Sequence, residues 1–351
     1  MDVPDTMKAA RLYAPGDLRI EEVSVPEPAS DEVLIRIDTN GICGSDIHFF
    51  ERGELGPFKV TKPYSPGHEA CGVVVAVGSD IKGVDEGTRV AVEPGIPCRR
   101  CELCKKGRYN LCEDVVFMSA PPIDGTFQEY VVVPADFVFP LPDCMDNEDG
   151  AFVEPVAVAV QACERGGLRA GESVTVIGGG PIGLVTALTC RAYGVSDVIV
   201  VEGLSNRIAY ARDLGFTNTI DYTVSDPVRQ VANLTDGRMT DVVFDASGSS
   251  AGCSSAPHLA ARGGRVVSIG WPETDSVAYP IAVVMEKELD LRGVNRYCNA
   301  YPKAIALLGS GILETAPLVS HRFPFANVVE AFEFASSNKR ETMKVMVAHG
   351  V

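Results

Sequence analysis

From residue 8 to about 150, short runs rich in Val, Ile and Thr occur at residues 18–23, 33–39, 72–77, 89–92 and 129–133, divided by Gly and Pro. Such runs predict strands, because branched side chains pack well on a pleated, half-buried surface. The first domain is therefore expected to be β-dominated. After residue 170 the rhythm changes: apolar strands at 173–177, 198–201, 242–245 and 265–269 alternate with helix-length segments such as 182–193 and 206–214. That alternation predicts a doubly wound parallel sheet, making the chain an α/β protein. From about residue 290 the pattern loosens, and residues 342–348 read as a strand returning to the first domain.

At ~150 residues per domain, the 351 residues predict two domains. The boundaries expected are a β-rich catalytic domain from 1–153 and 290–351, with a nucleotide-binding domain, 154–289, inserted and the active cleft at the junction. Lys and Arg number 31 against 47 Asp and Glu, and the net charge of -16 opposes binding to nucleic acid or an anionic membrane. A neutral or small partner fits better. The first residues, Met1 to Met7, lack the basic and apolar regions of a secretory signal, so a cytoplasmic protein is expected. The uncharged stretch 173–190 is interrupted by Gly178, Gly179, Gly180 and Pro181, and reads as strand, turn and helix rather than a membrane span. Eleven cysteines in such a chain point to reduced thiols, and a cluster among them to metal.

Gly178-Gly179-Gly180-Pro181-Ile182-Gly183 follows one predicted strand and opens an apolar helix, the context a dinucleotide loop requires. Gly178 permits the tight turn, Gly180 lets a pyrophosphate approach the backbone, and Gly183 allows helix and strand to pack. Pro181 and Ile182 sit where the helix N-terminus faces the anion. Glu202, at the end of the next strand, is placed to accept hydrogen bonds from an adenosine ribose and to repel a 2′-phosphate, favouring NAD. Arg207 complicates that choice, since a nearby Arg accommodates a 2′-phosphate. A glycine-rich turn beside a solvated Glu is the plainer alternative.

Cys98-x2-Cys101-x2-Cys104-x7-Cys112 lies in a polar loop. Four thiolates suit tetrahedral Zn²⁺ and leave no position open for chemistry, so this zinc is read as structural. An iron–sulfur cluster and unbound thiols are the alternatives.

Three further segments stand apart: Cys43-Gly44-Ser45-Asp46-Ile47-His48, Gly67-His68-Glu69-Ala70-Cys71-Gly72, and Val153-Glu154-Pro155. Singly, Cys43 reads equally as core, His68 as a satisfied buried His and Glu154 as a helix cap. Together, and in this order with the cysteine lobe and the glycine loop, they resemble the zinc-containing medium-chain dehydrogenases, whose signature reads Gly67-His68-Glu69-x2-Gly72-x5-Gly78-x2-Ile81 here, with Ile81 for the usual Val. Within that family the chain is most similar to the sorbitol and xylitol dehydrogenases, through Gly41 to His48, Ala120 to Gly125, Glu154-Pro155 and Gly293 to Asn299.

The resemblance implies a GroES-like catalytic domain, a Rossmann domain, one catalytic and one structural Zn²⁺ per chain, NAD, and a homotetramer. It implies that Cys43, His68 and Glu69 bind the catalytic zinc, with Glu154 an alternate ligand or the holder of a water there. Three protein ligands leave a fourth position open, as catalytic zinc needs. Ser45 followed by His48 resembles the family's proton relay, although His48 also reads as an exposed helical His. Arg296 and Tyr297 match a polyol-binding pair, and Phe117 is either a pocket wall or a core residue. Ile269 and Val294 join the implied cofactor contacts.

Two features bear on the branch. Phe49-Phe50 replace a Tyr-Trp pair frequent in animal sorbitol dehydrogenases, and all four lobe cysteines are present. The implied activity is oxidation of a polyol to a ketose with NAD. Two rivals remain: a butanediol, threonine or other secondary-alcohol dehydrogenase, and a non-catalytic nucleotide-binding protein on the same fold.

Overall fold

A computed structural model describes residues 3–272, 274 and 276–349. Two compact units are present: Met1–Glu154 with Ala304–Gly309 and Val319–Val351, and Pro155–Lys303 with Ser310–Leu318.

The first unit is built on a mixed sheet. Strand Glu32–Gly41 lies at its centre and pairs antiparallel with Glu69–Val77, Tyr130–Pro134 and Lys344–Ala348. Arg89–Val92 and Val138–Pro140 extend one side, and Val319–Pro324 runs parallel to Lys344–Ala348 at the other. The tail thus returns to the first sheet. A separate hairpin joins Thr6–Ala14 to Asp17–Ser24.

Period-two alternation places Val33, Ile35 and Ile37 on one face of the central strand, against Val74, Val90, Val131 and Val133. A second cluster gathers Leu12, Phe49, Phe50, Tyr64, Phe127, Phe332 and Val347. Phe49 meets Tyr64 edge-on at 6.2 Å, and Phe50 meets Phe332 at 5.7 Å. Each such buried aromatic contributes roughly 2–3 kcal/mol through area removed from water. Phe49 and Phe50 are therefore core residues of this unit.

The second unit holds a six-stranded, all-parallel sheet. In space the strands run Thr219–Asp221, Asp197–Glu202, Ser173–Ile177, Thr240–Asp245, Ala260–Ser268 and Asp290–Gly293. Numbered along the chain this is the order 3-2-1-4-5-6, whose reversal beside the first strand creates a ligand crevice at the carboxyl ends. The sheet continues past residue 289, because Asp290–Gly293 pairs with Ala260–Ser268. Asp-Leu-Arg-Gly is too short and polar for hydropathy to mark it as a strand. Helices Tyr301–Gly309 and Val328–Ser337 also lie in the region whose pattern had loosened. Among the described residues no helix is long and apolar enough to cross a membrane.

Candidate active site

Cys43 precedes helix Gly44–Arg52, and its backbone N–H donates to Asp46 Oδ2 at 3.0 Å. An acidic residue in the first turn suits the positive end of the helix dipole, and here it also fixes the entry of the chain. His68 precedes strand Glu69–Val77, and Glu69 begins it. Glu69 lies opposite Gly41 across the sheet, where a Cβ on Gly41 would stand 2.1 Å from Glu69 Oε2. Gly41 is thus the gap into which the Glu69 carboxylate folds. The ligand atoms of Cys43, His68 and Glu69 all lie within 4.8 Å of one another.

Residues outside the expected set hold this cluster. Asp46, fully buried, accepts hydrogen bonds at Oδ1 from Ser119 Oγ at 2.8 Å and Gly67 N–H at 3.2 Å, and lies 3.5 Å from His68 Nδ1. Burial alone would raise its pKa. The nearby His68 charge and the hydrogen bond from Ser119 outweigh that and hold the carboxyl below its usual range. For His68 burial works against protonation, yet Asp46 and Cys43 pull it well above the ordinary imidazole value. This point in the fold attracts positive charge. Lys344, from strand Lys344–Ala348, reaches Glu69 with Nζ 2.8 Å from Oε1 and 2.6 Å from Oε2.

The remaining candidates in this unit are placed as follows. Phe117 is half-buried with its ring 5.7 Å from that of His68, so it walls the cluster. Ser45 and His48 are half-buried on helix Gly44–Arg52. Glu154 is buried on helix Asn147–Gly166 and acts electrostatically on Lys344, but is not among the three groups whose ligand atoms converge.

Cys98, Cys101, Cys104 and Cys112 form the other convergent group, again within 4.8 Å. Backbone N–H groups point at their sulfurs: Cys98 N to Cys112 Sγ at 3.3 Å, and Cys101 N to Cys98 Sγ at 3.3 Å. N–H donation from Arg100 and Cys101 holds the Cys98 thiol down at about 7, while desolvation and the neighbouring sulfurs push Cys104 up to about 12. Four sulfurs this close require a cation to be thiolates together. Both donor sets fit Zn²⁺, one closed with four sulfurs and one with three mixed ligands.

In the second unit the glycine loop follows strand Ser173–Ile177 and caps helix Pro181–Ala192. Gly178 has φ +96°, which an L side chain rarely adopts, and a Cβ on Gly183 would stand 1.8 Å from Gly178 O. Gly180 is the N-cap and Pro181 the first helical residue, so the N–H groups that follow in the first turn have no intrahelical partner. The arrangement fits a dinucleotide pyrophosphate.

Glu202 is held more firmly than a ribose acceptor requires. Its Oε2 takes Gly179 N–H at 2.8 Å, and Oε1 takes those of Gly203 at 2.6 Å and Leu204 at 2.9 Å. Arg207 lies 3.7 Å from Oε2. Ile269 and Val294 stand just beyond the carboxyl ends of their strands, bonded to Asp245 O and Ser268 O. Arg296 has φ +54° and is half-buried, with burial drawing its pKa down. Tyr297 is only 3% exposed, and its ring lies 5.6 Å from that of Tyr301. It belongs in part to the packing of its own unit.

The chain matches the alcohol dehydrogenase GroES-like domain over residues 29–143 and the zinc-binding dehydrogenase domain over 181–310. It is 39% identical to the sorbitol dehydrogenase of Bacillus subtilis over 345 residues, 98% of each chain. The chain belongs to the zinc-binding dehydrogenases. Among solved structures, an Escherichia coli oxidoreductase of unknown specificity superposes with a TM-score of 0.94 at 35% identity, covering 99% of this chain and 100% of that one. A Sinorhizobium meliloti protein assigned to the zinc-binding dehydrogenases and bound to NADP gives a TM-score of 0.91 at 31% identity, covering 98% and 100%. The first unit of this dehydrogenase therefore has the GroES-like fold and the second the Rossmann fold.

Asp46, Ser119 and Lys344 were not foreseen as parts of the site. Asp46 sits inside the Cys43–His48 motif, where a carboxylate three residues after the cap reads as helix chemistry. Lys344 had a signal, a charged residue at the head of a continuous apolar strand.

Proposed function

We propose that this protein is an NAD-dependent zinc dehydrogenase that oxidises a polyol of the sorbitol or xylitol type at a secondary alcohol, giving a ketose. The observation that carries this reading is the convergent Cys43–His68–Glu69 cluster, with His68 and Glu69 buried and Cys43 half-buried. It lies in a chain matched along 98% of its length by a sorbitol dehydrogenase.

Cys43, His68 and Glu69 would hold the catalytic zinc, which would supply Lewis acidity at the substrate hydroxyl, and bound NAD would supply the hydride acceptor. Asp46 orients His68 through Nδ1 and is itself fixed by Ser119 and Gly67. Ser45 takes the hydroxyl proton and His48, one turn on along the same helix, passes it outward. Phe117 excludes water from one side of His68. Glu154 is a reserve carboxylate ligand or the holder of a water. Arg296 and Tyr297 donate to further hydroxyls of the substrate. The four lobe cysteines bind the structural zinc.

Gly178, Gly180, Pro181, Ile182 and Gly183 receive the pyrophosphate, Glu202 the adenosine ribose, and Ile269 and Val294 line the nicotinamide end. Glu202 retains free lone pairs beside its three backbone donors, and its charge opposes a 2′-phosphate. Arg207, close to Glu202, weakens that opposition. We assign the first unit as the catalytic domain and the second as the cofactor domain. We place the protein in the cytoplasm as a homotetramer, the former supported by cysteines that form no disulfide among the described residues.

NADH formation by the zinc-loaded protein on sorbitol, xylitol, ribitol, galactitol, 2,3-butanediol and threonine, each with NAD and NADP, tests the reading. Polyol turnover with NAD is expected. Preference for butanediol or threonine would overturn the roles of Arg296 and Tyr297, and no turnover with any alcohol would leave the non-catalytic alternative.

A further inference from the structure

Lys344 is 2% exposed. Its ammonium contacts both oxygens of Glu69, itself 1% exposed, and lies 3.4 Å from Ile42 O. Cys43 and Glu154 act on the same charge. Taking an ammonium out of water is costly unless it is paired, and an apolar side chain here would continue the buried run Val345, Met346 and Val347 at no such cost. A fixed cation beside a metal ligand also repels the metal. Its presence therefore calls for a role other than packing.

We propose that Lys344 is a resident counter-cation of the metal site: it neutralises the Glu69 carboxylate while no metal is bound, and sets the metal affinity lower than the donors alone would give. Each carboxylate oxygen has a second lone pair, so Glu69 can be shared between Lys344 and a metal. Gly41 leaves room for that shared carboxylate against the neighbouring strand. In the metal-free chain the pair keeps a buried charge from being orphaned. In the loaded chain the same ammonium works against the dication, so the site can bind and release metal without rearranging. Lys344 thus acts through its charge, and the inference rests on Glu69 being a ligand.

Metal-stripped wild type, Lys344→Met, Lys344→Arg and Glu69→Gln are titrated with Co²⁺, whose thiolate absorption separates a one-cysteine site from a four-cysteine one. Melting is followed with and without metal. Lys344→Met is expected to bind metal at the one-cysteine site about tenfold tighter or more, since a repelling charge in a low-dielectric site has gone. Its metal-free melting temperature falls by about 5 °C or more and recovers on loading. Lys344→Arg keeps both wild-type values, and the lobe site is unchanged throughout.

Unchanged or weaker binding by Lys344→Met, or unchanged metal-free melting, overturns the proposal. If Lys344→Met does not fold without metal, zinc release from the loaded variant to excess chelator decides: slower than wild type supports it, equal or faster overturns it. Glu69→Gln separates the two levels. Wild-type binding by that variant removes Glu69 as a ligand, whereas weakened binding there beside unchanged binding in Lys344→Met removes only the role of Lys344.

Discussion

Two clusters in the first unit each bring their ligand atoms within 4.8 Å of one another, yet they are built in opposite ways. The lobe draws its four sulfurs from one short loop, leaves three of its cysteines half-exposed, and surrounds them with backbone N–H groups. The other brings one residue from a helix start and two from the edge of a distant strand, buries His68 and Glu69 while Cys43 stays half-buried, and steadies them with Asp46, Ser119 and Lys344. Four thiolates saturate a tetrahedral ion and cross-link a loop; three mixed ligands leave a position for chemistry. The difference teaches that crowding of ligands marks a metal site, while ligand number and the surrounding shell mark what the metal does.

The comparison is broken most easily at the buried cluster. His68→Ala or Cys43→Ser should lower polyol turnover by at least about a thousandfold in steady-state assays while melting stays near wild type, because these residues serve chemistry more than folding. A lobe change should do the reverse: Cys101→Ser should lower the melting temperature by about 10 °C in calorimetry, with turnover at low temperature retained. Comparable loss of turnover in both variants would erase the distinction.

A smaller effect belongs to the supporting shell. Asp46→Asn keeps the shape but removes the charge facing His68, and should weaken metal binding or turnover by about 10- to 100-fold, read by chelator competition. No change would mean that Ser119 and Gly67 alone suffice to order the site.

The smallest effect is a pH dependence at the join between lobe and sheet. Tyr109, from the lobe, donates to Glu93 Oε1 at 2.8 Å, and burial pushes the Glu93 carboxyl up to about 7. A carboxyl raised in the folded state stabilises the protein below its unfolded value of 4.5, and that contribution is lost as pH rises through about 7. Glu93→Gln should therefore match wild type near pH 4.5 and exceed it by on the order of 2 kcal/mol at pH 8, in denaturant unfolding at both values. A constant difference across that range would show that Glu93 does not titrate there.

These same contrasts explain what could be read without coordinates. The lobe was legible because its ligands are local and their spacing is itself the geometry. The glycine loop was legible because strand, turn and helix follow one another with Gly178 and Gly183 at positions where a side chain cannot fit. Cys43, His68 and Glu69 could be grouped only through resemblance, since strand pairing brings them together and spacing does not reveal it. Lys344 is more remote still: its contact with Glu69 depends on strand Lys344–Ala348 returning beside Glu32–Gly41. The last parallel strand, Asp290–Gly293, escaped because edge strands carry few apolar residues.

Zinc content per chain, measured together with polyol-dependent NADH formation as a chelator is titrated into the wild-type protein, tests the central claim most directly. The account predicts about two zinc ions per chain, with turnover vanishing as the three-ligand site empties while the melting temperature falls only when the four-sulfur site follows. Turnover that survives loss of the first ion and disappears with the second, or that persists with neither, would contradict it.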